Sequence, residues 1–175
     1  MSVDSVRILI IDDEERVREI LAAYLEDSGF QVLQASDGQT GIGFCRRKPP
    51  DLVLCDLRMP GMDGLQVLAT VTREFPELPI LVVSGLGRMS DAIQALKLGA
   101  WDYVTKPIED MAVLEHAINH ALERARLRRE NREYREHLEA VNEQLRHTVR
   151  QLQEDEAAAR RIQLAARVRK VVEKG

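Results

Sequence analysis

Leu52-Val53-Leu54-Cys55-Asp56-Leu57-Arg58-Met59-Pro60-Gly61-Met62-Asp63-Gly64 is the stretch on which the reading of the chain turns. Four consecutive apolar residues without polar alternation predict a strand covered on both faces, as in a parallel sheet. The run stops at an acid, Pro60-Gly61 turns the chain, and Gly64 opens a segment whose apolar residues recur every three or four positions. This is one strand–helix unit with a carboxylate at its edge.

The unit repeats on both sides. Apolar runs occupy Val6–Ile11, Gln31–Ala35, Leu52–Cys55, Ile80–Val83 and Trp101–Val104. Between them, Glu14–Asp27, Gln39–Arg47, Gly64–Phe75 and Ser90–Leu98 predict crossover helices, the spacing being clearest at Val17, Ile20, Leu21, Tyr24 and Leu25. Gly29 and Gly99 stand where C-cap glycines belong, and Pro49-Pro50 and the Pro76–Pro79 stretch end the second and third helices. Five alternations predict an α/β fold, a five-stranded parallel doubly wound sheet with right-handed crossovers. Such sheets carry their functional sites at the carboxyl ends of the strands.

Composition narrows the classes. The 175 residues suit one domain plus an appendage. Residues 1–110 hold 11 basic and 18 acidic side chains, a net −7, whereas residues 111–175 hold 14 and 11, a net +3. An acidic globule with a mildly basic tail does not read as a nucleic-acid binder. Cys45 and Cys55 lack metal-ligand spacing, and Cys55 reads as a small buried hydrophobe. No signal peptide is legible, and no apolar run approaches the ~20 residues of a membrane span. A reducing cytoplasm is the expected setting.

The strand ends collect chemistry. The first run ends in Asp12-Asp13, the third in Asp56, the fourth in Ser84-Gly85, and the fifth leads to Lys106-Pro107. Each has a bland reading alone. Asp13 could be an N-cap, Asp56 a turn residue, Lys106 a solvated cation and Ser84-Gly85 a plain loop. All of them on one rim is a different matter. Three carboxylates held together raise one another's pKa unless a cation intervenes. A hard oxygen-seeking ion such as Mg²⁺ resolves the repulsion, a lysine opposite can neutralise a phosphoryl group, and Asp56 then serves as a nucleophile.

Asp12-Asp13, Asp56, Ser84 and Lys106 together closely resemble the site of the receiver domains of two-component response regulators. The phrases Asp56–Gly64 and Gly99–Pro107 are similar too. The resemblance covers about residues 5–125 and implies a flavodoxin-like, CheY-like fold. It implies that Asp56 accepts the phosphoryl group from a sensor histidine kinase or phosphotransfer protein. Asp13, Asp56 and the Arg58 backbone carbonyl would bind Mg²⁺, with Asp12 helping through water. Lys106, the Ser84 hydroxyl and the Gly85 amide would meet the phosphoryl oxygens, and Tyr103 would be the switch aromatic.

Beyond the receiver, expected over residues 1–125, a helical linker is expected over 126–175. No glycine or proline interrupts Ile108 to Lys174, which as one helix would extend roughly 100 Å at 1.5 Å per residue. Val113–Leu122 reads as the last receiver helix. Leu127, Asn131, Tyr134, Leu138, Val141, Leu145, Thr148 and Leu152 then mark an a/d seam with Asn131 at an a position. The pattern predicts a parallel coiled-coil homodimer. His116, His120, His137 and His147 all fall in this helix and read as solvated or interfacial. The register breaks at Asp155, and Leu164, Val168 and Val171 follow another phase. Ala159-Arg160-Arg161-Ile162-Gln163 resembles the connector that precedes PP2C-like phosphatase domains in RssB-type regulators, and that layout implies a downstream output domain or protein partner.

Two rival functions are weighed against the switch. A phosphohydrolase using an aspartate nucleophile needs an acid two residues on, where Arg58 stays protonated and cannot serve. A phosphorylation-independent adaptor in stress sigma-factor regulation would not need the full acidic set. No helix-turn-helix fits between Asp110 and Gly175 without a turn signal. The expectation is therefore a phosphorelay switch whose only chemistry is on its own Asp56.

Overall fold

A computed structural model describes residues 5–85 and 89–174. Five strands, β1 (Arg7–Ile11), β2 (Gln31–Ala35), β3 (Leu52–Cys55), β4 (Ile80–Ser84) and β5 (Asp102–Thr105), alternate with five helices. These are α1 (Glu15–Asp27), α2 (Gly38–Arg47), α3 (Gly64–Glu74), α4 (Met89–Lys97) and α5 (Met111–Val172). All strand pairs are parallel, in the order β2-β1-β3-β4-β5. Every strand and helix expected from periodicity is present; the ends of β1–β5 and α1–α4 coincide with the expectation or differ by one residue, and α5 starts two residues earlier than expected and runs on to Val172.

The strand alternation sorts the core into two layers. Ile8, Ile10, Leu52, Leu54, Leu81 and Val83 face one side and meet Leu21, Leu25, Leu114 and Ile118 of α1 and α5. Leu9, Ile11, Val53, Cys55, Ile80 and Val82 face the other and meet Ile42, Val67, Val71 and Ala95 of α2, α3 and α4. Period-two alternation thus survives inside fully apolar runs, because both faces are covered. Aliphatic side chains fill both layers, and β1, β3 and β4 hold most of the fully buried ones.

Side-chain caps fix three of the helix starts. Asp37 caps α2 through the Thr40 amide at 2.8 Å, and Asp63 and Gln66 form a reciprocal capping box on α3. Asp110 accepts the Ala112 amide at 2.9 Å, which places the start of α5 at Met111, two residues ahead of the expected Val113. Asp13 does not cap α1. The N-cap position is Glu14, without a side-chain bond, and Asp12 Oδ1 instead accepts the Glu14 amide at 2.9 Å. Gly29 and Gly99 adopt φ of 92° and 105°, the left-handed values expected just past α1 and α4.

The chain divides into two compact units between Leu127 and Arg128. In the first, α5 buries Leu114, Ala117, Ile118 and Ala121. In the second, every described residue is exposed along the helix. Among the described residues, no helix is long and apolar enough to cross a membrane.

One close approach ties the fold to its edge. The Gly64 amide bonds to the Leu57 carbonyl at 2.9 Å, which draws the start of α3 onto the backbone after β3. A Cβ at Gly64 would collide with the Asp56 carbonyl oxygen and stand 2.6 Å from Leu57 Cα. Backbone cannot yield there, so Gly64→Ala should destabilise by about 2–3 kcal/mol. Gly43→Ala, whose Cβ meets nothing within 4 Å inside α2, should stabilise by up to about 1 kcal/mol. Denaturant midpoints of the two variants test the contrast, and equal midpoints would refute it.

Candidate functional site

The strand order reverses between β1 and β3, so the crevice beside their carboxyl ends is the natural site of the fold. Asp12 and Asp13 follow β1, and Asp56 follows β3. The Asp56 amide bonds to the Ile11 carbonyl at 2.9 Å, extending the ladder by one residue and fixing Asp56 beside Asp12. One oxygen from each of Asp12, Asp13 and Asp56 can be chosen so that all lie within 4.8 Å of one another. Asp12 and Asp56 are 2% and 5% exposed, whereas Asp13 is exposed, so the cluster opens to solvent on one side.

Lys106 arrives from the end of β5. Its ammonium lies 2.5 Å from Asp12 Oδ2, 3.8 Å from Asp56 Oδ1 and 3.9 Å from Glu14 Oε1. The Lys106 amide bonds to the Ser84 carbonyl at 2.7 Å, holding this segment against β4. Asp12 is fully engaged. Its Oδ1 accepts the Glu14 amide, its Oδ2 takes Lys106, and its carbonyl accepts Arg18 Nη1 at 2.6 Å. Asp56 Oδ1, by contrast, is buried without a hydrogen-bond partner. The nucleophile candidate is therefore the carboxylate with a free acceptor.

Burial pushes the Asp56 carboxyl above its ordinary value. Lys106 pulls it down, Asp12 pushes it up, and the Ser84 hydroxyl and Arg58 backbone amide also pull it down. Desolvation prevails, because one lysine serves two buried acids. Beneath the site, the buried Cys55 thiol donates to the Asp56 carbonyl at 3.3 Å. Burial, followed by the Asp56 charge, pushes that thiol far up, as befits an inert packing residue.

Asp12, Asp13, Asp56 and Lys106 thus meet where the strand-end rule places them, and Ser84, 2% exposed, reaches Asp56. Tyr103 is half-buried and packs against the core on the α2–α4 side of the sheet. The Arg58 side chain reaches outward to Asp91 of α4, Nη2 to Oδ2 at 3.6 Å. Glu14 and Arg18 are site neighbours that sequence reasoning missed. Arg18 lies one turn into an ordinary charged helix face, and its bond to a backbone carbonyl leaves no residue pattern to read.

The all-oxygen donor set, with one orphaned buried acceptor and an exposed flank, fits a hard divalent cation. Residues 8–119 match the response regulator receiver domain family. The chain belongs to that family. Similar receivers occur in much longer proteins. A putative NtrX-like response regulator of Rickettsia bellii is 36% identical over 129 residues, 72% of this chain and 27% of the relative. The nitrogen assimilation regulatory protein NtrX of Azorhizobium caulinodans is 37% identical over 132 residues, 74% of this chain and 29% of the relative. NtrX of Brucella abortus, solved with ADP, superposes with a TM-score of 0.69 at 33% identity, covering 72% of this chain and 29% of that one. A receiver domain from Clostridium thermocellum superposes with a TM-score of 0.66 at 32% identity, covering 70% of this chain and 98% of that one. This chain thus spans little more than a quarter of the NtrX-type relatives, and the shared region is the receiver.

The receiver's electrostatics predict an unusual stability response. The fold raises the Asp56 pKa, so folding disfavours its ionised form. The cost is absent well below the unfolded carboxyl value of ~3.9, grows as pH rises towards the folded value, and is complete above it. In chelator at neutral pH, Asp56→Asn should therefore be the more stable by about 1 kcal/mol, with the gap closing in strong acid. Thermal melts across pH would contradict this if the wild type were the more stable at neutrality.

Proposed function

We propose that the protein is a two-component response regulator whose Asp56 is phosphorylated in a Mg²⁺-dependent reaction by a histidine kinase or phosphotransfer partner. The observation that carries the reading is the buried, unpartnered Asp56 Oδ1, 3.8 Å from Lys106 and ringed by Asp12 and Asp13. Asp13, Asp56 and the Arg58 backbone carbonyl would hold the ion, with Asp12 acting through water because both its oxygens are engaged. When bound, Mg²⁺ offsets the charge of the carboxylates and of the incoming phosphoryl group.

In the transfer, an Asp56 oxygen attacks phosphorus as the bond from phosphorus to the donor imidazole nitrogen breaks. The nitrogen keeps the electron pair, and the product is an aspartyl phosphate. Lys106 is placed to turn from Asp12 to the phosphoryl oxygens, since it already lies within 3.9 Å of three carboxylates. The Ser84 hydroxyl and Gly85 amide donate to the same oxygens. Tyr103, half-buried beside β4, is the group whose packing would report the change. Arg58, two residues after the nucleophile, supplies no acid, which argues against turnover of external phosphates.

The signal would pass through α5. Leu127, Tyr134, Leu138, Val141, Leu145 and Leu152 are all 45–64% exposed on the helix, a cost that a second copy would remove. We read them as the seam of a parallel homodimer that presents paired receivers to an output domain or partner protein in the cytoplasm.

Intact mass after incubation with acetyl phosphate and Mg²⁺ tests the acceptor. One phosphate should appear on the wild type and none on Asp56→Asn, and an equal adduct on both would displace Asp56 from its role. Sedimentation equilibrium tests the seam. The wild type should be a dimer with or without beryllofluoride and Leu138→Asp a monomer, whereas a monomeric wild type would remove the coiled coil from the scheme.

A further inference from the structure

The second unit carries two apolar faces, and one partner helix cannot cover both. At about 100° per residue, the side chains of Leu127, Tyr134, Leu138, Val141, Leu145 and Leu152 fall within a narrow stripe of α5. Leu164, Ala165, Val168, Val171 and Val172 fall on a second stripe, roughly 140° around the same helix by that arithmetic. In heptad terms the seam moves by two positions between Leu152 and Leu164. Neither a stutter of four residues nor a stammer of three absorbs such a shift. A second copy following the first seam would leave the other face bare.

That other face is exposed and flanked by charge. Leu164, Ala165, Val168 and Val172 form an apolar strip, with Arg161 in line at its head and Arg169 and Glu173 along one side. Leu164, Val168 and Val171 are 64%, 56% and 74% exposed. Residues 160–174 hold six basic side chains, Arg160, Arg161, Arg167, Arg169, Lys170 and Lys174, against the single acid Glu173. The same face of a second copy, laid alongside in parallel, would bring Arg161 and Arg169 against their own kind, which is repulsive. A bilayer is a poorer fit than a protein. Interfacial helices present bulky anchors such as Trp, Phe and Leu, whereas this face is mostly Val and Ala, with Glu173 at its edge.

We infer that the exposed apolar face of Arg161–Glu173 docks an amphipathic helix of a protein partner, with an apolar ridge flanked by Asp and Glu. Ala165 leaves room for the ridge, as small residues do where helices approach closely. Arg161 and Arg169 pair with the flanking acids and set the choice of partner, a role that charged rim positions serve in paired helices. The inference is independent of phosphotransfer to Asp56 and of the dimer seam.

Fluorescence anisotropy on the full chain tests it with two labelled three-heptad peptides. Both carry leucine at a and d, one with glutamate and the other with lysine at e and g. The glutamate peptide should bind at least about tenfold more tightly than the lysine peptide. Val168→Asp should lose that binding, and Leu138→Asp, which attacks the other stripe, should keep it. The double variant Arg161→Glu/Arg169→Glu leaves the apolar strip intact and should reverse the preference, which guards against simple unwinding in Val168→Asp. Equal affinity for both peptides, or loss in Leu138→Asp alone, would overturn the proposal. Sedimentation with phosphatidylglycerol vesicles, abolished by Val168→Asp and without peptide binding, would assign the face to a membrane instead.

Discussion

Two buried carboxylates share one lysine at the edge of the sheet, and much of the structure serves to keep them there. Asp12 and Asp56 are 2% and 5% exposed, on adjacent strands, with Lys106 between them. Bringing such charges out of water costs several kcal/mol per ion unless partners compensate. The compensation is uneven. Asp12 has an amide and an ammonium, and Asp56 keeps an unused acceptor. The imbalance leaves one buried carboxylate oxygen open to a ligand, held in place by a rigid aliphatic sheet.

The scaffold supplies that rigidity from several directions. β1 and β3 pair through Ile11 and Cys55, so the residues that follow them emerge side by side. Gly64 lets α3 press against the backbone of Asp56 and Leu57, where any side chain would intrude. The Lys106 amide hangs from the Ser84 carbonyl, so β4 and β5 place the ammonium. The cluster draws its groups from the ends of four different strands, none of which could hold it alone.

The long helix obeys a different physics. Within the receiver, α5 buries Leu114, Ala117, Ile118 and Ala121 in a finished core. Past Leu127 it has no core of its own, and its apolar residues remain exposed. Helices of that kind draw their stability from partners. The charge pattern changes along it, from mixed charges beside the Leu138 stripe to mainly basic residues around Val168.

The succession of strands and helices, the apolar runs that form the core, and the acids, serine and lysine at the strand ends can all be read from residue order alone. Those features are legible because a parallel sheet demands continuous apolar runs and places strand ends on one rim. Which acid holds Lys106, that Asp56 keeps a free oxygen, that Asp13 is no cap, and that Arg18 and Glu14 join the site all emerge from the folded packing. Those outcomes depend on distances between residues as far apart as Asp12 and Lys106 and on the burial of each group. Neither leaves a periodic trace in the chain, because pairing in a desolvated pocket is set by which neighbour arrives within hydrogen-bond reach.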